Sequence, residues 1–162
     1  MPVVELCDLV DAAGRPSGRT VARGSELMPG EYYLVVHVWI RDEAGDYLVQ
    51  QRALDRLTDP GVWAVTAGYV QAGEDSLTAA LRETREELGL VLSAGQLQRL
   101  ERHTMHDRVE DIWLATVARD SLGQPKPGPE VADWKWASKA RLSELVKQGG
   151  FFGYSYFVLL PD

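Results

Sequence analysis

A layered α/β or α+β domain is what the sequence predicts, on three observations. Apolar, β-branched runs alternate with two well-separated helical segments. The 162 residues suit one domain spanning 1–162. Hydrophobic residues make up 45% and charged residues 25%, enough apolar side chain for a packed core.

The elements follow in chain order. Residues 3–10 are short and β-branched and end in DAAGRPSG, a turn cluster. Residues 15–30 read as irregular, so 1–30 is expected to be a strand and loop extension. YYLVVHVWI at 32–40 predicts a strong strand, DEAGD at 42–46 a hairpin connection, and 47–52 a second strand. A short strand at 62–66 precedes a helix at 76–88, with Asp75 or Ser76 as its N-cap and Gly89 as its left-handed C-terminal stop. Residues 97–105 and 112–118 predict two strands around HDRVED, followed by a Pro/Gly-rich loop at 121–129. Residues 134–136 predict a short strand, and Ser138 caps a last helix at 139–147, stopped by Gly149 and Gly150. The apolar tail, 150–162, is expected to pack back on the domain.

Seventeen Lys and Arg against 24 Asp and Glu give a net charge of −7. That balance argues against a polymer nucleic-acid partner, which needs a basic footprint. It leaves room for an anionic small substrate, because bound cations invert the sign of an acidic site. Cys7 is the one cysteine, so no intrachain disulfide forms. No apolar run is long enough to span a bilayer and the start is not of signal type, so no membrane partner and a cytoplasmic location are expected.

The chemistry concentrates in GYVQAGEDSLTAALRETREELGL, residues 68–90. On a helical wheel, Ala80, Leu81, Thr84 and Leu88 fall within roughly 60° of Leu77, which predicts the buried stripe. Glu83, Glu86 and Glu87 fall at roughly 240°, 180° and 280°, on the other side. Three like charges three or four residues apart repel, a poor choice for stability alone. Hard oxygen ligands on one side suit Mg²⁺ or Mn²⁺. An acidic solvated face is the plainer reading of such a helix, and the wheel by itself leaves both open.

Spacing adds what the wheel lacks. Gly68, Glu74, Arg82, Glu83, Glu86, Glu87 and Gly89 stand at the offsets of the Nudix box, G-x5-E-x7-R-E-U-x-E-E-x-G-U, with U a bulky aliphatic residue. A chance match at all seven fixed positions is on the order of 10⁻⁸ per start. Thr84 departs from the pattern at the first U position. The chain resembles this superfamily over roughly residues 30–120, including LVVHVWIRDEAGDYLVQQR, PGVW at 60–63, and Gly30, Glu31, Tyr32 and Tyr33.

The resemblance implies an α/β/α sandwich with a mixed β-sheet and a loop–helix–loop catalytic motif. It implies Mg²⁺-dependent (or Mn²⁺-dependent) attack of water on a diphosphate linked to another group X, of nucleotide or nucleotide-sugar type. Glu86 and Glu87 are then the primary metal ligands, Glu83 a ligand or the base for the attacking water, and the Gly68 carbonyl a further ligand. Arg82 orients the carboxylates, and Glu74 serves the loop and helix start. Glu130, and after it Glu110 or Asp111, are candidates for a carboxylate outside the box.

Elsewhere the functional and structural readings compete. Arg52, ending a strand, is a candidate phosphate contact or a salt-bridge partner of a box carboxylate. His37 reads as structural, while His103 and His106 flank a hairpin within reach of a site. Trp39, Trp63 and Trp113 read as core, and Tyr32, Tyr33, Phe151 and Tyr154 as groups able to stack on X.

The chain is also similar to type I isopentenyl-diphosphate isomerase, whose catalytic cysteine just before the box glycine corresponds here to Ala67, while Tyr33 replaces a metal-binding histidine. That disfavours isomerase chemistry. A silent nucleotide-sensing module is the other alternative, and the intact carboxylates weigh against it. The superfamily often pairs, so a homodimer is an expectation that no residue here carries.

Overall fold

The computed structural model describes residues 2–162. Strands β1 (Leu6–Val10), β2 (Pro16–Ala22), β3 (Tyr33–Arg41), β4 (Tyr47–Arg52), β5 (Trp63–Ala64) and β6 (Thr66–Tyr69) precede helix α1 (Ser76–Leu88). Strands β7 (Leu97–Thr104) and β8 (Arg108–Thr116), a one-turn helix α2 (Arg119–Leu122), β9 (Val131–Ala137) and helix α3 (Lys139–Lys147) complete the order. No helix of the described residues is long and apolar enough to cross a membrane.

Strand β3 organises the layers. It is buried along nearly all its length, as a strand covered on both faces must be. Its side chains alternate between faces. Leu34, Val36, Val38 and Ile40 pack with Ala79, Ala80 and Leu88 of α1. Trp39 packs on the other face with Leu142 and Leu145 of α3 and with Phe151, Tyr156 and Leu160 of the tail. The result is the α/β/α sandwich, with tail residues Phe151, Tyr156 and Leu160 in its second core. The sheet is mixed: β3 runs parallel to β8 from Tyr33 opposite Arg108 to Arg41 opposite Thr116, and its other pairings are antiparallel.

A fork in this sheet positions the site. β3 and β4 pair only beside their hairpin, at Ile40–Leu48 and Arg41–Tyr47. Beyond that they part, and residues 63–69 enter the gap. β5 pairs with β4 at Gln50–Ala64, and β6 pairs with β3 from Val38–Thr66 to Val35–Tyr69. The single strand expected at 62–66 is therefore two strands broken at Val65, each serving one arm of the fork.

Other expectations need correction. Residues 15–30 hold a strand, β2, which forms a separate hairpin with β1; its Pro, Ser and Gly and its exposed face masked the alternation. β8 starts at Arg108, so the turn is confined to 105–107 and Glu110 and Asp111 lie in a strand rather than a loop. The loop at 121–129 begins inside α2. The buried stripe of α1 is also broader than the wheel gave: Leu77 and Leu81 are only half-buried, while Glu83 and Glu87 are buried. This face of α1 lies against the fork: Glu87 bonds Gln50 of β4 and the Ala67 N–H of β6, and Glu83 lies against Gly68 of β6. The loop at 126–128 ties only the backbone of the last turn, with Lys126 N–H donating to the Leu88 carbonyl and Gly128 N–H to that of Glu87.

Candidate active site

Helix α1 is fixed at both ends. Asp75 accepts a hydrogen bond from Thr78 N–H at 2.8 Å, and Gly89 adopts a left-handed φ of 65°, its N–H reaching the Arg85 carbonyl. Thr84 is fully buried and its hydroxyl donates to the Ala80 carbonyl at 2.8 Å, so the departure from an aliphatic residue leaves no unpaired polar atom.

Within that frame Glu87 is buried. Its Oε1 accepts from Gln50 Nε2 at 3.0 Å and from the Ala67 N–H at 3.3 Å, while its Oε2 is buried with no partner. Burial, with the Glu83 charge nearby, pushes its carboxyl up to about 8. Glu83 is buried too, and desolvation raises it to about 7 against the pull of Arg82. Glu86 is more exposed, its side chain 55% accessible.

Arg82 ties the carboxylates together. One nitrogen, Nη1, donates to Glu83 Oε1 at 2.9 Å and to Glu86 Oε2 at 3.1 Å. Nη2 donates to Glu74 at 2.6 Å and to the Tyr69 carbonyl at 3.0 Å. Glu74 in turn accepts from the Gln71 N–H, bracing the loop before the helix. Gly68 makes room for Glu83: a Cβ at residue 68 would lie 2.1 Å from Glu83 Oε1.

These groups line a cavity of about 880 Å³. Arg52, Arg56 and Glu130 stand on its wall, as do His37, Glu110 and the tail residues Tyr154 and Tyr156. Arg52 donates to the carbonyl and hydroxyl of Thr58, so it bridges to no box carboxylate. Glu130 is exposed and pairs with Arg56 at 2.8 Å. Asp111 is fully buried in an ion pair with Arg102 at 2.6 Å and does not line the cavity. Tyr32, Tyr33 and His106 line a second cavity of about 600 Å³ beside the β1–β2 hairpin. Phe151 and Trp39 are core, while Trp63 and Trp113 are half-buried.

Sequence reasoning missed Gln50, Arg56 and Arg108. Gln50 had a signal: it is a polar residue amid the buried positions of β4, at the fork. Arg56 and Arg108 had none, because tertiary packing alone brings them to the cavity.

The donor set fits a divalent cation. Two desolvated carboxylates face one cavity, and one of their oxygens lacks the hydrogen bond that a buried polar atom needs. The fit is incomplete as the side chains stand: among the described residues no three His, Cys, Asp or Glu side chains gather closely enough to hold a metal ion. Arg82 Nη1 occupies the place between Glu83 and Glu86.

Residues 31–156 match the NUDIX domain family. The chain is 32% identical over 154 residues to the Nudix hydrolase lmo0368 of Listeria monocytogenes, covering 94% of this chain and 91% of that one. It is 31% identical over 160 residues to the isopentenyl-diphosphate Delta-isomerase of Streptomyces griseus, covering 95% and 81%. In fold it is similar to DR0079 from Deinococcus radiodurans, with a TM-score of 0.76 at 21% identity, covering 96% and 97%.

Proposed function

From the premise that this chain belongs to the Nudix hydrolase family, we propose that it hydrolyses the diphosphate linkage of a nucleotide or nucleotide-sugar substrate with the help of Mg²⁺ or Mn²⁺. The family acts on nucleoside diphosphate derivatives and generally uses divalent metal ions. The observation that carries the reading here is the buried pair Glu83 and Glu87 on one cavity wall, with Glu87 Oε2 unpaired.

Glu83, Glu86 and Glu87, with the Gly68 carbonyl, would hold the cation, which when bound neutralises the charge that repels an attacking oxygen from a diphosphate. Glu86 is exposed and held only by Arg82 Nη1 at 3.1 Å. Gln50 and the Ala67 N–H orient Glu87. Arg82 orients Glu83, which serves either as a further ligand or as the base for the attacking water. Arg52 is the proposed phosphate contact, since its guanidinium has no carboxylate partner. Glu130 is the lesser substrate candidate, held at the cavity mouth by Arg56.

Isomerase chemistry lacks its thiol here. Residue 67 is alanine, and Cys7 lies buried in strand β1, away from the cavity lining, with burial pushing its thiol up to about 11. The test is cleavage of nucleoside triphosphates, nucleoside diphosphates, nucleotide sugars, dinucleotides and prenyl diphosphates, read as the phosphomonoester, phosphate or pyrophosphate formed, each with Mg²⁺ and with EDTA. Glu83→Gln and Glu87→Gln are expected each to remove most Mg²⁺-dependent cleavage with the fold intact. Full activity in both variants refutes the assignment.

A further inference from the structure

His37 stands on β3 beside Ala67 of β6 and lines the same cavity as the box glutamates, on the sheet face opposite α1. Its Nδ1 lies 2.7 Å from the Tyr156 hydroxyl, which also accepts from Trp39 Nε1 at 3.0 Å. The hydroxyl has one hydrogen, and Trp39 can only donate. Giving that hydrogen to His37 Nδ1 pairs every member of the chain and leaves the imidazole proton on Nε2. The alternative tautomer leaves the Tyr156 hydrogen without a partner and turns the Nε2 lone pair toward a carboxylate, Glu110.

Glu110 Oε1 is 4.0 Å from Nε2, beyond hydrogen-bond length. Arg108 Nε reaches that oxygen at 2.8 Å and His103 Nε2 reaches its partner oxygen at 2.7 Å, which leaves one lone pair of Oε1 free. Burial holds the His37 ring neutral, with its pKa lowered to about 4. One wall of the cavity thus carries a fixed N–H donor and a fixed acceptor 4.0 Å apart, with the rings of Tyr154 and Tyr156 beside them at 5.4 and 5.7 Å from the imidazole.

We infer that His37 is a specificity-determining residue: its Nε2–H and the neighbouring Glu110 Oε1 together read the edge of a planar heteroaromatic ring on group X, a nucleobase with an acceptor next to a donor. Every nucleobase has such an edge. An alkyl or prenyl chain has neither group and would leave both protein atoms unpaired, which a buried site penalises. The aromatic tail residues supply the apolar side of the slot. The inference rests on the proposed reading for its placement of the diphosphate at the box, but it concerns recognition, which binding measures without turnover.

The test is calorimetric titration, with Mg²⁺, of methylene-bridged analogues of ADP, CDP and UDP, and of isopentyl diphosphate as the base-free control. Wild type is expected to bind the base-bearing analogues about tenfold or more tighter than the control. His37→Leu erases that preference without changing binding of the control, and His37→Gln, which keeps a donor, retains most of it. Tyr156→Phe weakens the preference, and ¹⁵N NMR of its imidazole shows the proton no longer confined to Nε2. Equal affinity of wild type and His37→Leu for the nucleotide analogues overturns the inference, as does an equal loss for both ligand classes or a wild type without preference. A wild type that discriminates by binding yet cleaves no diphosphate substrate with Mg²⁺ defeats the hydrolysis reading and leaves this one standing.

Discussion

Gln50 Nε2 donates to Glu87 Oε1 at 3.0 Å across the fork where β4 leaves β3, and Thr66 donates to Gln50 Oε1 at 3.1 Å in turn. A strand amide thereby fixes the rotamer of a helix carboxylate whose other oxygen has no partner. Groups that orient a ligand from behind typically govern metal affinity by ten- to a hundredfold. Gln50→Leu is therefore expected to raise the Mg²⁺ concentration for half-maximal hydrolysis by about tenfold. Titration of activity with Mg²⁺ checks this, and an unchanged midpoint shows that Glu87 needs no such support.

Gly68→Ala tests why the box begins on glycine. Backbone conformation is not the reason, because Gly68 is absent from the left-handed residues. Space is: the added methyl meets Glu83 Oε1 at 2.1 Å and its Cδ at 2.2 Å. Glu83 has to leave its place beside Arg82. Turnover is expected to fall about a hundredfold or more, as when a reacting group is displaced by about an ångström. The melting temperature changes by no more than a few degrees, because the clash is with a side chain that can move into the cavity. Turnover within a factor of two of wild type rejects the displacement.

Much of this was legible in the sequence, for identifiable reasons. α1 and α3 appear at the expected residues because caps and periodicity are local. β3 is equally plain, since a doubly covered strand is apolar throughout. β2 was hidden because only Val21 of its seven residues is buried, so its pairing with β1 leaves no apolar pattern. The box identified its carboxylates by spacing alone. It did not foretell that Glu83 and Glu87 are buried, because the strands that cover them, β4 with Gln50 and β6 with Ala67 and Gly68, reach the helix only through the fork in the sheet. Glu110 was misplaced in a loop for a related reason. A polar pair inside a strand reads as a break until Arg102 and His103 of the neighbouring β7, with Arg108 of β8 itself, pair it.

The two buried acids also set a pH dependence. Desolvation raises both carboxyls in the folded protein, to about 7 for Glu83 and about 8 for Glu87, against an ordinary 4.5. The folded state therefore binds more protons than the unfolded state between those limits. Stability falls with rising pH there: it is greatest below about 4.5 for these two groups and is lost as pH passes 7 to 8. A cation competes with those protons. In EDTA, replacing both residues with glutamine is expected to flatten the decline in melting temperature between about pH 5.5 and 8.5. Adding Mg²⁺ to wild type raises the melting temperature more at pH 8.5 than at pH 6, as scanning calorimetry at the two pH values reads directly. An equal gain at both values removes these acids from the metal site.

Arg82 provides the sharpest test of orientation against mere charge. Its guanidinium bonds Glu74, Glu83, Glu86 and the Tyr69 carbonyl at once, using donors spread over a rigid plane. Lysine keeps the charge but concentrates it in one ammonium group that cannot span partners on both sides of the plane. Arg82→Lys is expected to lower kcat by about tenfold to a hundredfold while KM for the substrate stays within about a factor of two, because the lost contacts are to the box carboxylates, which are proposed to hold the cation rather than the substrate. Arg82→Gln, which also loses the charge that opposes protonation of Glu83, additionally moves the acidic limb of the kcat–pH profile to higher pH. Steady-state kinetics of both variants from about pH 6 to 9 separate the two effects: a rise in KM with unchanged kcat would make Arg82 a substrate contact instead.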